Sequence, residues 1–234
     1  MQSLYASFQT AVNLMLELNP PLIEIAGLSL GVSLTAVSLA SVCGFFAGAV
    51  LALCRFPGRQ AILVILNAFM GLPPVAVGLT VYLLLSRAGP LGGWGLLFTP
   101  GAMIFAQWIL VTPLIAALSR QVIEDLNVEY NELLWSLGAS RLGTLLTLLW
   151  EARLSLTTVM LAGFGRAVAE VGAVLIVGGN IVHHTRVMTT SIVLETAKGN
   201  LSQALALGII LIVIACLVNA VISISKSYAE RASG

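Results

Sequence analysis

A chain of 234 residues with 59% apolar and only 9% charged side chains carries too little charge to cover a water-soluble surface, where about a quarter is usual. Its mean hydropathy of +1.02 agrees, and a net charge of +1 with no basic patch excludes nucleic acid as a partner. The solvent this composition calls for is membrane lipid, with one transmembrane domain over 1–234.

The N-terminal stretch Leu4–Leu18 is apolar but short, and Glu17 precedes Asn19-Pro20-Pro21. Residues 1–19 read as an interfacial segment rather than a span. No basic region followed by a small-residue cleavage site marks a signal peptide. Beyond it, uncharged runs recur at Ile25–Cys54, Gln60–Ser86, Ala88–Ser119 and Gly199–Ser225. Each is long enough to cross a bilayer, and backbone polar groups in lipid must be satisfied internally. The fold class is therefore all-α, a polytopic helical membrane protein with about five spans: 26–54, 61–86, 101–122, 154–180 and 203–225. The single cysteines Cys43, Cys54 and Cys216 lie in or at the ends of apolar runs and read as small buried residues.

In the first span Ala36, Ala40, Gly44 and Gly48 recur every four residues, a stripe of small side chains that lets helix backbones approach. In the second, Gly71-Leu72-Pro73-Pro74 predicts a kink or a break, because proline removes backbone donors and disfavours helix before it. Two readings of that break stay open, a packing adjustment and a cavity lining. Arg55–Arg59, the stretch 121–153 and the tail with Lys226 and Arg231 fall on one side of the membrane. With Arg120 and Arg141 that side holds most of the basic residues, so it is expected to be cytoplasmic, with the N-terminus outside and the C-terminus inside.

The stretch Gln121–Arg153 is charged enough to be solvated, yet it holds eight leucines between Leu133 and Leu149. Its periodicity predicts two short helices, Gly138 closing the first and Ser140 capping the second. Such an apolar face wants a partner groove, or else the membrane surface or the chain's own spans. In the fourth span Gly165, Ala169 and Ala173 repeat the small-residue stripe. Arg166 lies thirteen residues past Arg153, ~20 Å along a helix, with Glu170 one turn later. Ionisable groups at that depth must pair or face an interior. A place on the translocation path or its gate and a lock within the helix bundle are both open. After the span, Asn180, Thr185, Arg186, Thr189, Thr190 and Ser191 offer hydroxyl, amide and guanidinium donors of the kind a tetrahedral dianion needs. Gly178 and Gly179 would let the backbone come close to such an ion. An ordinary polar loop and a receiving surface for a binding protein fit the same residues. His183 and His184 are adjacent, so their side chains diverge, and no third ligand stands at metal-site spacing.

Glu132-Leu-Leu-Trp-Ser-Leu-Gly138-Ala139-Ser140 resembles the EAA motif of ABC-importer permeases. It differs in having Leu133 and Leu134 for two alanines, and Leu148-Leu149-Trp150-Glu151 where the family ends on isoleucine-x-leucine-proline. The stretch Gly163 to Ala173 resembles the signature of the molybdate, sulfate and tungstate branch. Gly178 to Ile181 and Thr185 to Gly199 resemble the tungstate-type permease. The resemblance implies the type I importer permease fold. It also implies docking of an ATPase by Glu132, Leu133, Leu134, Leu137, Gly138 and Ala139. A translocation path or gate would involve Arg166, Glu170, Gly179, Asn180, Arg186, Thr189 and Thr190. The implied assembly has two copies of this chain, two ATP-binding cassette subunits and an extracytoplasmic oxyanion-binding protein in a prokaryotic cell membrane. The cargo would be tungstate, with molybdate and sulfate as alternatives. No G-x-x-x-x-G-K-[ST] occurs, so ATP and its magnesium are expected in the partner subunit and no cofactor in this chain. An intramembrane enzyme using His183, His184 and Glu195 is the competing class, without a nucleophile and base at recognisable spacing.

Overall fold

The computed structural model describes residues 8–9, 12–13 and 20–232, so the expected interfacial segment 1–19 lies almost wholly outside the described residues. Nine α-helices and a 3-10 turn follow one another among the described residues, with no strand. Helix α1 is Pro20–Leu53, α2 Arg59–Met70, α3 Pro74–Leu85, α4 Pro100–Ser136 and α5 Arg141–Glu151. Helices α6 (Arg153–Val168), α7 (Gly172–Gly178), α8 (Met188–Ala197) and α9 (Leu201–Ala232) complete the chain.

Three helices are long and apolar enough to cross a membrane, α1, α4 and α9 over Leu201–Val218. The pairs α2–α3 and α5–α6 pass the same test together, each sharply bent at a short break, and the number of spans reaches five if each pair counts as one. Helix α1 opens on Pro20 and Pro21, whose fixed φ suits a first turn. At 34 residues it is ~51 Å long, well beyond the ~30 Å hydrocarbon core. Helix α4, at 37 residues, is ~55 Å long and carries the chain from the third span straight into the charged stretch. The first of the two short helices predicted there is thus the end of a spanning helix rather than a separate element.

The second span is broken where predicted. Helix α2 stops at Met70, Pro73 caps the next helix in extended geometry, and α3 restarts at Pro74. The fourth span, predicted as continuous over 154–180, is also broken. Helix α6 ends at Val168 and α7 begins at Gly172, leaving Ala169–Val171 between them. Glu170 sits in that gap, and its side chain captures the Ala173 N–H at 3.3 Å, a donor that a continuous helix would have turned on the backbone.

The chain forms two compact units, each made of three stretches. In the first, Leu22 and Ile25 of α1, Met188 of α8, and Ala206 and Leu207 of α9 make a core. Ser29 ties the same elements: its hydroxyl donates to the Ile25 carbonyl at 2.8 Å and accepts the Met188 N–H at 2.7 Å. Helices α3 and α7 touch backbone to backbone, a Cβ on Gly78 falling 2.6 Å from Ala173 Cα. In the second unit, Ala49 of α1, Ile123 and Leu134 of α4, Leu145 and Leu148 of α5, Ala152, and Leu156 of α6 form the core. The small-residue stripe of α1 packs there as expected: a Cβ on Gly44 would meet Ile115 at 2.7 Å, and one on Gly48 the Ala116 carbonyl at 2.7 Å. The second stripe packs that way only at Ala173, against Gly78. Gly165 faces open space and Ala169 is exposed, because the helix ends there; Gly163 makes the close approach, to Ile115.

The cysteines are also not buried as expected. Cys43 and Cys216 are exposed and Cys54 is half-buried. They join Leu34, Val42, Phe46, Leu79, Leu83, Ile212 and Leu217, apolar side chains turned outward along apolar helices. In lipid such residues need no protein core.

Candidate functional site

The end of α4 and the start of α5 form a helical hairpin built on local signals. Gly138 adopts φ 69°, a left-handed position that a Cβ would strain. The Ala139 N–H then reaches the Leu134 carbonyl at 3.0 Å and the Gly138 N–H the Trp135 carbonyl at 3.0 Å, which together close the helix as a Schellman motif. Ser140 follows as N-cap of α5, its hydroxyl accepting the Gly143 N–H at 3.1 Å. Both caps are those predicted.

Leu134, only 9% exposed, anchors the hairpin in the core of its unit. Around it Leu133 and Trp135 of α4, Leu137 just past its end, and Leu142, Leu146 and Trp150 of α5 are exposed, Leu137 at 72% and Trp135 at 83%. Glu132, Gly138 and Ala139 are exposed as well. Of the six residues expected to meet an ATPase, five face outward and Leu134 faces in. The hairpin base is held by charge: Arg59 reaches Glu124 at 2.9 Å and the Leu51 carbonyl at 2.7 Å, and Arg120 shares the same carboxylate. Where the family's proline is missing, Ala152 makes the corner into α6. Its N–H donates to the Leu148 carbonyl, its carbonyl accepts from Leu156, and the Arg153 guanidinium stacks 5.2 Å over Trp150. The two helices meet there at 69°.

The first unit holds the residues expected on a path or gate. Arg166 and Glu170 pair at 2.7 Å, with Glu170 4% and Arg166 37% exposed. The break frees carbonyls that side chains then satisfy: Gln107 donates to Ala167 at 3.0 Å and Thr189 to Glu170 at 2.9 Å. Ser29, Ser33, Gln107, Glu170 and Thr189 line a cavity of ≈ 10 Å³ beside the break, room for about one water. Gln107 Oε1 lines it buried and without a partner. Gln107, Ser29 and Ser33 escaped sequence reasoning. Their signal was a polar side chain inside an apolar run, too common to single out without the break.

Gly179 (φ 70°) ends α7, and Asn180 and His183 also take positive φ. The threonine hydroxyls that follow, of Thr185, Thr189 and Thr190, are engaged within the unit. Thr185 donates to the Gly178 carbonyl at 2.5 Å and accepts from Ile181, while Thr190 donates to Asn180 Oδ1 at 3.0 Å. Thr185, Thr189, Thr190 and Ser191 are buried. Among the described residues the Arg186 guanidinium donates to the Asn180 carbonyl at 3.4 Å, and its Nε is buried without a partner. These side chains brace the turn between α7 and α8 in this conformation. His183 pairs with Glu24 of α1 at 2.8 Å, while Glu195 binds Asn200 at 2.7 Å and Lys198 at 2.9 Å. The histidines and Glu195 are therefore not brought into one site. Among the described residues no three His, Cys, Asp or Glu side chains gather as metal ligands. Hydrogen bonds from Asn200 and then Lys198 hold the Glu195 carboxyl below its ordinary pKa, against its burial.

A multi-pass helical bundle with two broken spans and a solvated, apolar-tipped hairpin is the architecture of a membrane permease. The family of the binding-protein-dependent transport system inner membrane component matches residues 40–232, and the chain belongs to that family, the permeases of ABC importers. Relatives lie on the anion side of it. The chain is 40% identical to a probable anion ABC transporter permease protein of Haloferax volcanii over 204 residues, 85% of this chain and 88% of that one. It is 38% identical to the tungstate uptake system permease protein TupB of Peptoclostridium acidaminophilum over 222 residues, 95% of this chain and 97% of the relative. It is also 44% identical to TupB of Campylobacter jejuni over 165 residues, 70% and 69% of the two chains.

Proposed function

We propose that this permease imports tungstate, and the observation carrying that choice is its likeness to a tungstate uptake permease along nearly its whole length. The binding step belongs to an extracytoplasmic oxyanion-binding protein. Two copies of the chain form the path, and a pair of ATP-binding subunits drives it. The charge distribution supports an orientation in which the α4–α5 hairpin lies in the cytoplasm and the N-terminus outside.

In this reading Glu132, Leu133, Leu137, Gly138 and Ala139 meet the ATPase, and Leu134 transmits its movement into the core of the second unit. What supports it is exposure. Apolar side chains on a rigid, doubly capped hairpin have no use in water unless covered. On the other unit, Arg166 and Arg186 supply positive charge near the broken fourth span. The Arg166–Glu170 pair and the hydroxyls of Thr189 and Thr190, with Gly179 and Asn180, hold a closed arrangement that rearranges as the path opens. A half-buried pair of this kind is weak support for stability and a better device for holding one of two conformations.

The test is uptake of labelled tungstate by vesicles holding the assembled transporter, with molybdate and sulfate as competitors. Tungstate should compete best. Preferential uptake of sulfate would overturn the substrate and leave the importer class standing.

A further inference from the structure

The hairpin has a second feature beside its apolar tip. A cleft of ≈ 460 Å³ opens in the same unit, lined by Arg55 past the end of α1, by Asn127, Asn131 and Trp135 of α4, and by Arg141 and Thr144 of α5. Asn127, Asn131 and Trp135 stand at i, i+4 and i+8 and so form one wall. Among the described residues no carboxylate lines the cleft. Its groups are two guanidinium ions, two carboxamides, a hydroxyl and an indole, a set dominated by donors. The neighbouring arginines, Arg59 and Arg120, share Glu124, whereas Arg55 and Arg141 make no hydrogen bond or ion pair among the described residues. Two unpaired guanidinium groups on one cleft leave a site for an anion, and the cleft is far larger than one small oxyanion.

We infer that this cleft receives an acidic segment of the ATP-binding subunit, a carboxylate lying between Arg55 and Arg141 while the apolar tip is covered alongside. The inference rests on the reading of the hairpin as the ATPase dock, and adds to it a charged second contact that the exposed leucines do not supply. Phospholipid headgroups are the other source of anionic groups at such a place, and depth argues against them. Along α4 the uncharged run ends at Ser119, and the cleft's Asn127 and Asn131 are eight and twelve residues on, ~12 and ~18 Å along the helix, while Arg55 directly follows the apolar run that ends at Cys54. The headgroup layer beyond the hydrocarbon is only ~5–7 Å thick on each side. The cleft also shares Trp135, Ala139 and Arg141 with the exposed hairpin, so a protein covering the tip would cover it too.

The test measures association of the ATP-binding subunit of the same transporter with the purified permease, in detergent and in nanodiscs with and without anionic lipid, across a range of salt. Leu137→Asp probes the apolar tip, Arg55→Glu with Arg141→Glu the cleft, and Arg55→Gln with Arg141→Gln keeps the bulk without the charge. Gel filtration and thermal denaturation establish that each variant is folded. The charge-reversed pair should weaken association by about tenfold or more, and the glutamine pair should flatten its salt dependence, in all three environments. If Leu137→Asp weakens association while both arginine pairs bind like the parent with the same salt dependence, the cleft is not a contact and the inference falls alone. An effect confined to nanodiscs with anionic lipid would assign the cleft to lipid and overturn it as well. Failure of the parent permease to bind the subunit would overturn the docking reading itself.

Discussion

Leu134 in the last turn of α4 and Leu137 just past its end stand three positions apart and meet opposite surroundings, one in the core of its unit and the other in solvent. Aspartate at each should separate stability from coupling. Leu134→Asp buries a charge without a partner and should cost more than about 3 kcal/mol, seen as poor yield or a large fall in melting temperature in detergent. Leu137→Asp should leave the melting temperature within a degree or two, since exposed substitutions change stability by less than about 0.5 kcal/mol, and should reduce ATPase association. Sequence reasoning grouped the two because both belong to one motif. Which leucine faces inward depends on where α5 folds back, and that is a tertiary fact.

Glu195 gives a prediction with a definite sign. Its carboxyl is held below the ordinary value by Asn200 and Lys198, so it adds stability above that ordinary value, lost as the pH falls through its folded pKa. The permease should therefore melt at lower temperature as pH drops below about 4, the ordinary carboxylate range. Asn200→Leu removes the larger cause. Its melting temperature should be lower than the parent's near neutral pH and should converge on it in acid. Parallel curves for the two proteins would contradict this account of Glu195.

At the scale of elements, the spans were legible because lipid demands long apolar helices, and the break before α3 because Pro73 and Pro74 forbid a continuous helix. The caps at Gly138 and Ser140 were legible for the same local reason. The break between α6 and α7 was not. Nothing in Ala169-Glu170-Val171 forbids helix, and the gap is sustained by distant partners, Gln107 on the Ala167 carbonyl and Thr189 on the Glu170 carbonyl. Sequence periodicity cannot register bonds across 60 and 19 positions. The second small-residue stripe was split by it, Ala173 packing on Gly78 while Gly165 and Ala169 lie open, since a stripe keeps one face only while the helix continues.

The contact between α3 and α7 is the tightest consequence of the two breaks. A side chain on Gly78 would meet backbone, Ala173 Cα at 2.6 Å, which cannot swing aside as a side-chain tip can. Gly78→Val should destabilise the permease by about 3 kcal/mol, the upper end of overpacking costs. Gly165→Val, which faces open space on the next broken span, should be nearly neutral to stability. Thermal denaturation of the two variants side by side checks the pair, and equal losses would mean the close approach does not limit packing.

At the scale of the molecule, each unit carries one part of the proposed cycle: an energy input at the α4–α5 hairpin in the second, and a charged, broken span with Arg166 and Glu170 in the first. Helices α1, α4, α6 and α9 each contribute residues to both units. The sequence carried the class of protein in its apolar runs and its function in two short stretches. It did not carry the inward use of the Thr185, Thr189 and Thr190 hydroxyls, because a donor's chemistry is visible in sequence and its partner is not.

The central claim is that a separate ATPase drives this permease through the hairpin. The direct measurement is tungstate accumulation in proteoliposomes holding the permease, its ATP-binding subunit and the oxyanion-binding protein, with the parent chain and with Gly138→Leu. Leucine at φ 69° strains the cap by about 1–2 kcal/mol and should displace the exposed tip while leaving the spans folded. The account predicts accumulation that requires both ATP and the ATP-binding subunit and falls at least about tenfold in Gly138→Leu, in line with the loss of one specific contact. Accumulation without the ATP-binding subunit, or undiminished in a folded Gly138→Leu variant, would contradict it.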